Sequence, residues 1–292
     1  MKKKGILIII LGALLFISCS KNSDEPDQGT QQVDKRANLL ATGASANDLL
    51  SNDRFTRLKI EIAYVAGFRP TTLAMAEFMA YLKLHTFKEE IELVFNELPS
   101  PGEESLTLQK IADLESENRT VFNDGETLGV YIYFADAPSD EDDDAEGLVT
   151  LGAVYRNTSM VIHEVTVRRL SNQNGPVRTS DVEAATINHE FGHLFGLVDL
   201  GSTMVNDHED PNAVNHCNVQ GCLMRAELQF GGSGKSSLAF EKASNDGDIK
   251  AGCSLSGASV LQMLQGSTAK NIGSAPGIDP ACILDLKANG GR

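Results

Sequence analysis

The 292-residue chain reads as an α/β (α+β) protein organised on one mixed five-stranded sheet, and three observations predict it. Three apolar runs of strand length are separated by two runs with helical spacing, a hairpin pattern follows, and a helix bearing paired histidines comes next. The β-α-β-α-β order implies parallel strands joined by right-handed crossovers, and the hairpin brings in an antiparallel strand.

In the first run Leu58, Ile60, Ile62 and Tyr64 alternate with Lys59, Glu61, Ala63 and Val65, the period of a strand, and Gly67 and Pro70 end it. Thr71 or Thr72 then caps a helix whose Met75, Phe78, Met79 and Leu82 share one face. Ile91 to Leu98 predicts a second strand, Leu106 to Glu115 a second helix with Leu108, Ile111 and Ala112 on one side, and Leu128 to Phe134 a third strand buried on both faces. Leu148 to Tyr155 and Thr158 to Val167 flank Arg156-Asn157 as a hairpin. Before it, Asp140 to Glu146 carries carboxylates at all positions but Ala145; this is a solvated loop by default, with Ca2+ binding as the minority reading because EF-hand spacing is absent.

The stretch His189-Glu190-Phe191-Gly192-His193 carries the chemistry. Ser180 with Glu183 has the form of a capping box, so a helix is expected from about Asp181 to Leu197. On such a helix two histidines four apart project from the same face, so both imidazoles can bind one ion. Glu190 beside them can take a proton from water, the role this pattern assigns it in zinc peptidases. Gly196 lets the chain leave the helix, and Asp199 follows as a third ligand. Three protein ligands leave a position open, the mark of a catalytic rather than a structural Zn2+.

HExxHxxGxxD, followed by Cys222-Leu223-Met224, resembles the metzincin clan of zinc metallopeptidases, whose long motif is closed by a turn with a methionine beneath the metal. The aspartate variant resembles the snapalysin-type branch, which makes His189, His193 and Asp199 the ligands and Met224 the turn methionine. The segment His216-Cys217-x4-Cys222-x-Met224 is also similar to the archaemetzincin tail, where the histidine before the first cysteine is the third ligand. Spacing favours Asp199, the order of residues before the methionine favours His216, and His208 is a weaker candidate. The resemblance implies a metzincin-like sheet with a backing helix and an active-site helix in 37–197, and a smaller irregular C-terminal subdomain in 198–292. It also implies an edge strand, here 148–155, that pairs with an extended peptide or protein substrate. Some metzincins place a tyrosine after the methionine turn; here the last tyrosine is Tyr155, so His208 or His216 could assist instead if not a ligand.

Lys2 to Lys4, an apolar run from Ile6 to Ile17, and Ser18-Cys19 form a signal peptide over 1–18, too short for a comfortable membrane span. Phe16-Ile17-Ser18-Cys19 resembles a bacterial lipobox, which implies a lipid on Cys19 that anchors the chain in a membrane. Ser20 fits an outer-membrane lipoprotein on the periplasmic or cell-surface face, and Asp24-Glu25 resembles Bacteroidetes-type surface-export signals. Polar residues from 19 to 36 predict a disordered tether. Besides Cys19, Cys217, Cys222, Cys253 and Cys282 remain, an even set in an oxidising compartment, with Cys217–Cys222 and Cys253–Cys282 as the expected disulfides. A Cys-rich zinc site lacks its CxxC spacing. A net charge of −15 excludes nucleic acid and anionic lipid as partners. Gly231 to Ser236 ends like a phosphate-binding loop but has Gln229 where the first glycine belongs. Asp279 as cap, Pro280 at the first position and Gly290 beyond the end define a final helix.

These residues point to a membrane-anchored zinc metalloendopeptidase with Glu190 as general base; an exopeptidase differs only in a cleft blocked at one end. The alternative is a surface lipoprotein that binds glycan or protein and uses the metal only to brace a loop, which would require a closed, fully protein-ligated ion.

Overall fold

Strand β1 (Arg57–Val65) is the strip on which the sheet is laid: β2 (Glu90–Leu98) and β3 (Thr127–Phe134) pair with it in parallel, one on each side. β5 (Ser159–Ile162) extends β3 in parallel, and β4 (Gly152–Arg156) closes the order β2-β1-β3-β5-β4 as an antiparallel outer strand. The computed structural model describes residues 35–142, 149–173, 178–226 and 277–292. All of these described residues fall in one compact unit.

Alternation along β1 and β3 divides the core between two faces. Leu58, Ile60, Ile62, Leu128, Val130 and Ile132 face the same side as Phe78 and Leu82 of α2 (Thr72–His85) and Phe191 and Phe195 around the end of α5 (Thr179–Leu194). The Phe78 and Phe191 rings meet edge to face at 5.1 Å, joining the backing helix to the histidine-bearing one. Ala63, Tyr131, Tyr133 and Val161 face the other side, covered by Ile111 and Ala112 of α3 (Leu108–Asn118). There Glu115 accepts from Arg119 (2.7 Å), Arg156 (2.8 Å) and Ser159 (2.6 Å), a satisfied buried network that fastens the β4–β5 hairpin to α3.

The expected caps form at α2, where Thr71 accepts from Ala74 N, and at α6 (Pro280–Ala288), where Asp279 accepts from Ala281 N and Gly290 turns left-handed at φ 101°. A five-residue helix, α1 (Ala46–Leu50), precedes β1.

Four local expectations are corrected. The second helix starts at Leu108 with Thr107 as its cap, and Leu106 instead bridges to Ser139. The strand expected through Val167 ends at Ile162, and α4 (Glu164–Gln173) begins, because Glu164 and Arg168 pair one turn apart while Val167 and Leu170 bury a helical stripe. Ser180 caps nothing: it lies inside α5, whose first helical residue is Thr179, and Glu183 reaches across to Thr71 instead of back along its own helix. Lys35 and Arg36, placed in the tether by composition, open a 3-10 turn, Lys35–Asn38. The signal peptide, Cys19, the rest of the tether, 143–148 of the acidic loop, Gly231 to Ser236 and Cys253 lie outside the described residues.

Candidate metal centre

The site is built on the last turns of α5. His189, Glu190 and His193 have no solvent exposure, because α5 is sandwiched between the sheet and the segment that runs through Met224. His189 Nε2 and His193 Nε2 lie 3.0 Å apart. Their third partner is His216 in β7 (Ala213–Cys217), the longer strand of a small ribbon with β6 (Glu209–Asp210). Ligating atoms of His189, His193 and His216 all lie within 4.8 Å of one another. The His216 ring is 5.4 Å from that of His189 and 5.3 Å from that of His193.

Asp199, the ligand favoured by spacing, is not in this group. After Gly196 (φ 75°) the chain turns left-handed again at Val198 (φ 56°) and Asp199 (φ 58°), and the aspartate ends up exposed. The residue that the fold groups with the two helix histidines is the alternative candidate, His216, delivered from beyond a 15-residue excursion (residues 200–214) that motif spacing could not measure.

The imidazoles fit a shared cation. His189 Nδ1 is 2.7 Å from Leu223 O and His216 Nδ1 is 3.0 Å from Val214 O, so each Nδ1–H donates to a carbonyl and Nε2 is the ring's acceptor nitrogen. Burial, then the neighbouring imidazole of His216, lowers the pKa of His189 to about 3; burial lowers that of His216 to about 4, and burial followed by the other two rings holds His193 well below its ordinary value. All three are neutral ligands at pH 7. Zn–N bonds of about 2.0–2.1 Å put tetrahedral nitrogens about 3.3 Å apart, close to the approach of the two Nε2 atoms.

Glu190 points from the same turn toward β4. Its pKa is raised well above the ordinary carboxylate range by burial, which the backbone N–H of Val154 only partly offsets. Beyond this approach of Val154 N–H, which falls short of full hydrogen-bond geometry, neither Glu190 oxygen has a partner among the described residues, and His193 Nδ1 also has none. A carboxyl group buried without a partner is costly, and a ligand or water at this spot would relieve it. Two glycines make room for the arrangement. A Cβ on Gly152 would lie 2.9 Å from Glu190 Cγ, and one on Gly192 would lie 2.3 Å from Met224 Sδ, so Met224 packs directly under the helix turn that carries the histidines.

A second group of donors sits behind the ribbon. Ligand atoms of His208, Cys217, Asp279 and Cys282 lie within 4.8 Å of one another. Cys217 Sγ is 3.3 Å from His208 Nδ1, Cys282 Sγ is 3.9 Å from the same nitrogen, and Cys222 Sγ is 3.6 Å from Cys282 Sγ. Zn–S bonds of about 2.3 Å with Zn–N of about 2.0–2.1 Å give tetrahedral edges of about 3.5–3.8 Å, comparable to the 3.3 Å and 3.9 Å that separate His208 Nδ1 from the sulfurs of Cys217 and Cys282. Asp279 Oδ2 lies 3.2 Å from Cys217 Sγ, but its other oxygen already caps α6. Hydrogen bonds from Cys222 and Cys282 push the Cys217 thiol down, toward the thiolate that a metal requires.

This geometry replaces the expected Cys217–Cys222 disulfide: Cys217, Cys222 and Cys282 are free thiols. The CxxC criterion missed the group because His208 precedes Cys217 by nine residues and Cys282 comes from α6, 60 residues beyond Cys222. His208, a weaker candidate for the first site, belongs to this one, with Nε2 2.8 Å from Asp285 Oδ2. His163, just past β5, is buried with Nδ1 3.0 Å from Ala137 O.

No protein-family model and no curated protein matches the chain. Among solved structures, the crystal structure of archaemetzincin from Methanopyrus kandleri is similar at 14% identity and a TM-score of 0.44, over 80% of this chain and 96% of that one.

Proposed function

We propose that the protein is a zinc-dependent peptidase, with His189, His193 and His216 holding the ion and Glu190 acting as general base. One observation supports the reading above all: three neutral imidazoles grouped around one point, with a buried carboxyl group short of full hydrogen bonds in the helix turn that carries two of them. A zinc ion held there would supply Lewis-acid polarisation of the scissile carbonyl. The charge of a bound dication would offset the effect of burial and keep Glu190 ionised, so that it could take the proton of the attacking water and pass it to the leaving amine, and hydrolysis would need no covalent intermediate. Met224 and the carbonyl of Leu223 keep the histidine pair in register from below. An oxyanion helper from His208 does not fit, since that ring is engaged by Cys217 and Asp285. An extended peptide would add to the outer strand β4, beside Glu190. A lipid on Cys19 would hold the enzyme on an outer membrane, consistent with the leader sequence.

Complete burial of the His189–His193 pair favours the second reading, a surface lipoprotein with a purely structural ion. Against it stands the ligand count, because a structural zinc is held by four protein groups. Glu190→Gln separates the two. The substituted protein should bind as much metal as wild type at this site yet no longer cleave denatured casein, whereas chelator-treated wild type should lose both properties. Cleavage that survives Glu190→Gln would overturn the assignment.

A further inference from the structure

We infer that Glu209 is a positioning residue of the metal centre: its carboxylate latches the bulge of β7 that carries His216 and so holds the third imidazole against the helix pair. The inference rests on the reading of His216 as a ligand and adds the group that places it.

The ribbon does not pair evenly. Glu209 lies opposite Cys217 and Asp210 opposite Ala213, so one step along β6 is matched by four along β7. Val214, Asn215 and His216 make up the excess and bow out of the register. A bulge re-aims the side chains it carries. Here it sends them apart: Val214 is 67% exposed, the most of any large hydrophobic residue among the described ones, while His216 is buried beside His189 and His193.

The evenly spaced ladder bonds of a ribbon are interrupted at a bulge, and other contacts must hold its backbone. Asn215, at the middle, is left-handed with φ 65°, a conformation that asparagine tolerates and most residues resist. Its N–H donates to Glu209 Oε1 at 2.6 Å. A hydrogen bond to a carboxylate is roughly twice as strong as one between neutral groups. One residue further on, His216 Nδ1 donates to the carbonyl of Val214 at 3.0 Å, a contact closed within the bulge. The orientation of the ring therefore follows the backbone of the bulge, and that backbone is held by Glu209. Glu209 is not grouped with the three imidazoles, so it acts through His216 rather than on the ion.

The latch is itself anchored. The carbonyl of Glu209 accepts from Asn218 Nδ2 at 3.2 Å, and that of His208 accepts from Asn218 N at 2.8 Å. On the other side Asp210 Oδ1 accepts from Asn212 N at 2.9 Å and closes the turn of the ribbon. The carboxylate thus reaches the bulge from a backbone pinned before and after it. A sheet of two strands is marginal alone, and a slip by one residue turns its side chains to the opposite face. Cutting the latch opens that route for His216.

Zinc competition against a chromophoric chelator, on the full-length chain, reads the histidine site as the zinc that His216→Ala forfeits. Glu209→Ala should weaken this affinity by about 10- to 100-fold, the range for groups that orient metal ligands. Glu209→Gln, which keeps an acceptor, should recover part of the loss. In the His216→Ala background, Glu209→Ala should change the remaining zinc binding no further, a non-additivity that a general loss of stability does not produce. Asn215→Gly suits a positive φ and should bind as wild type, whereas Asn215→Val should fall with Glu209→Ala; this pair decides the matter should Glu209→Ala not fold. Wild-type affinity in a folded Glu209→Ala, or equal affinity in Asn215→Gly and Asn215→Val, would overturn the latch. Zinc kept in full by His216→Ala would overturn the ligand reading and the latch together. The expected losses in a chain whose wild type cleaves no casein would sink the peptidase reading and leave the latch standing.

Discussion

Gly152 is where a single methyl group should uncouple catalysis from metal binding. It sits on β4 opposite Ile162 and is not left-handed, so alanine adds only volume there. That Cβ would meet Glu190 Cγ at 2.9 Å, Thr186 Cγ2 at 3.1 Å and the carbonyl oxygen of Val161 at 3.1 Å. Carbon pairs rest at about 3.5–4.0 Å, so the Glu190 stem must withdraw by about 0.6–1 Å. A displacement of about 1 Å at a reacting group costs on the order of 100-fold, or about 2.7 kcal/mol of barrier. Overpacking itself should cost about 1–3 kcal/mol of stability. None of the three atoms nearest the new methyl belongs to an imidazole, so metal content should hold. Peptide hydrolysis rates, metal per chain after dialysis and a urea midpoint check each part. An unchanged kcat/KM in a folded, metal-loaded Gly152→Ala protein would refute the placement of Glu190 against β4.

The third ligand and the buried acid pair give two more expectations. Asp199→Ala should keep the metal of the histidine site, while His216→Ala should lose it on dialysis at wild-type free-metal levels; the opposite pattern would restore the aspartate as ligand. Glu164, buried beside Glu183, has its pKa pushed up to about 9 by burial first and then by the charge and hydrogen bond of Glu183, against the pull of Arg168 Nε at 2.5 Å. The unfolded chain releases this proton near the ordinary carboxylate value, while the folded one keeps it to about 9. Stability from this group is therefore complete at acid pH and lost as pH rises through that window, at up to about 1.4 kcal/mol per pH unit. Glu164→Gln mimics the protonated form and should flatten the profile of urea midpoints across the window; an equally steep profile would show that another group sets it.

The sheet and the helix pair were legible because local patterns carry them. The alternation in β1, the i, i+3, i+4 stripe of α2 and the unbroken apolar run of β3 each follow from how a residue faces the core, which needs no distant partner. His189, Glu190 and His193 were legible for the same reason, since one helical turn fixes their common face. Val165 and Val167 misled because β-branched residues suit strands, and the Glu164–Arg168 pair with the Val167–Leu170 stripe decided for helix.

Sequence by itself determined the sheet order of events and the chelating turn, since both depend on residues within reach of one element. Tertiary structure alone decided what completes the metal centre. Motif spacing measures distance along the chain, and it favoured Asp199; the ribbon of β6 and β7 folds back to bring His216 within 4.8 Å of the pair. In the same way, thiols from 217 and 282 meet an imidazole from 208 only because α6 packs against that ribbon, a convergence that no local period encodes.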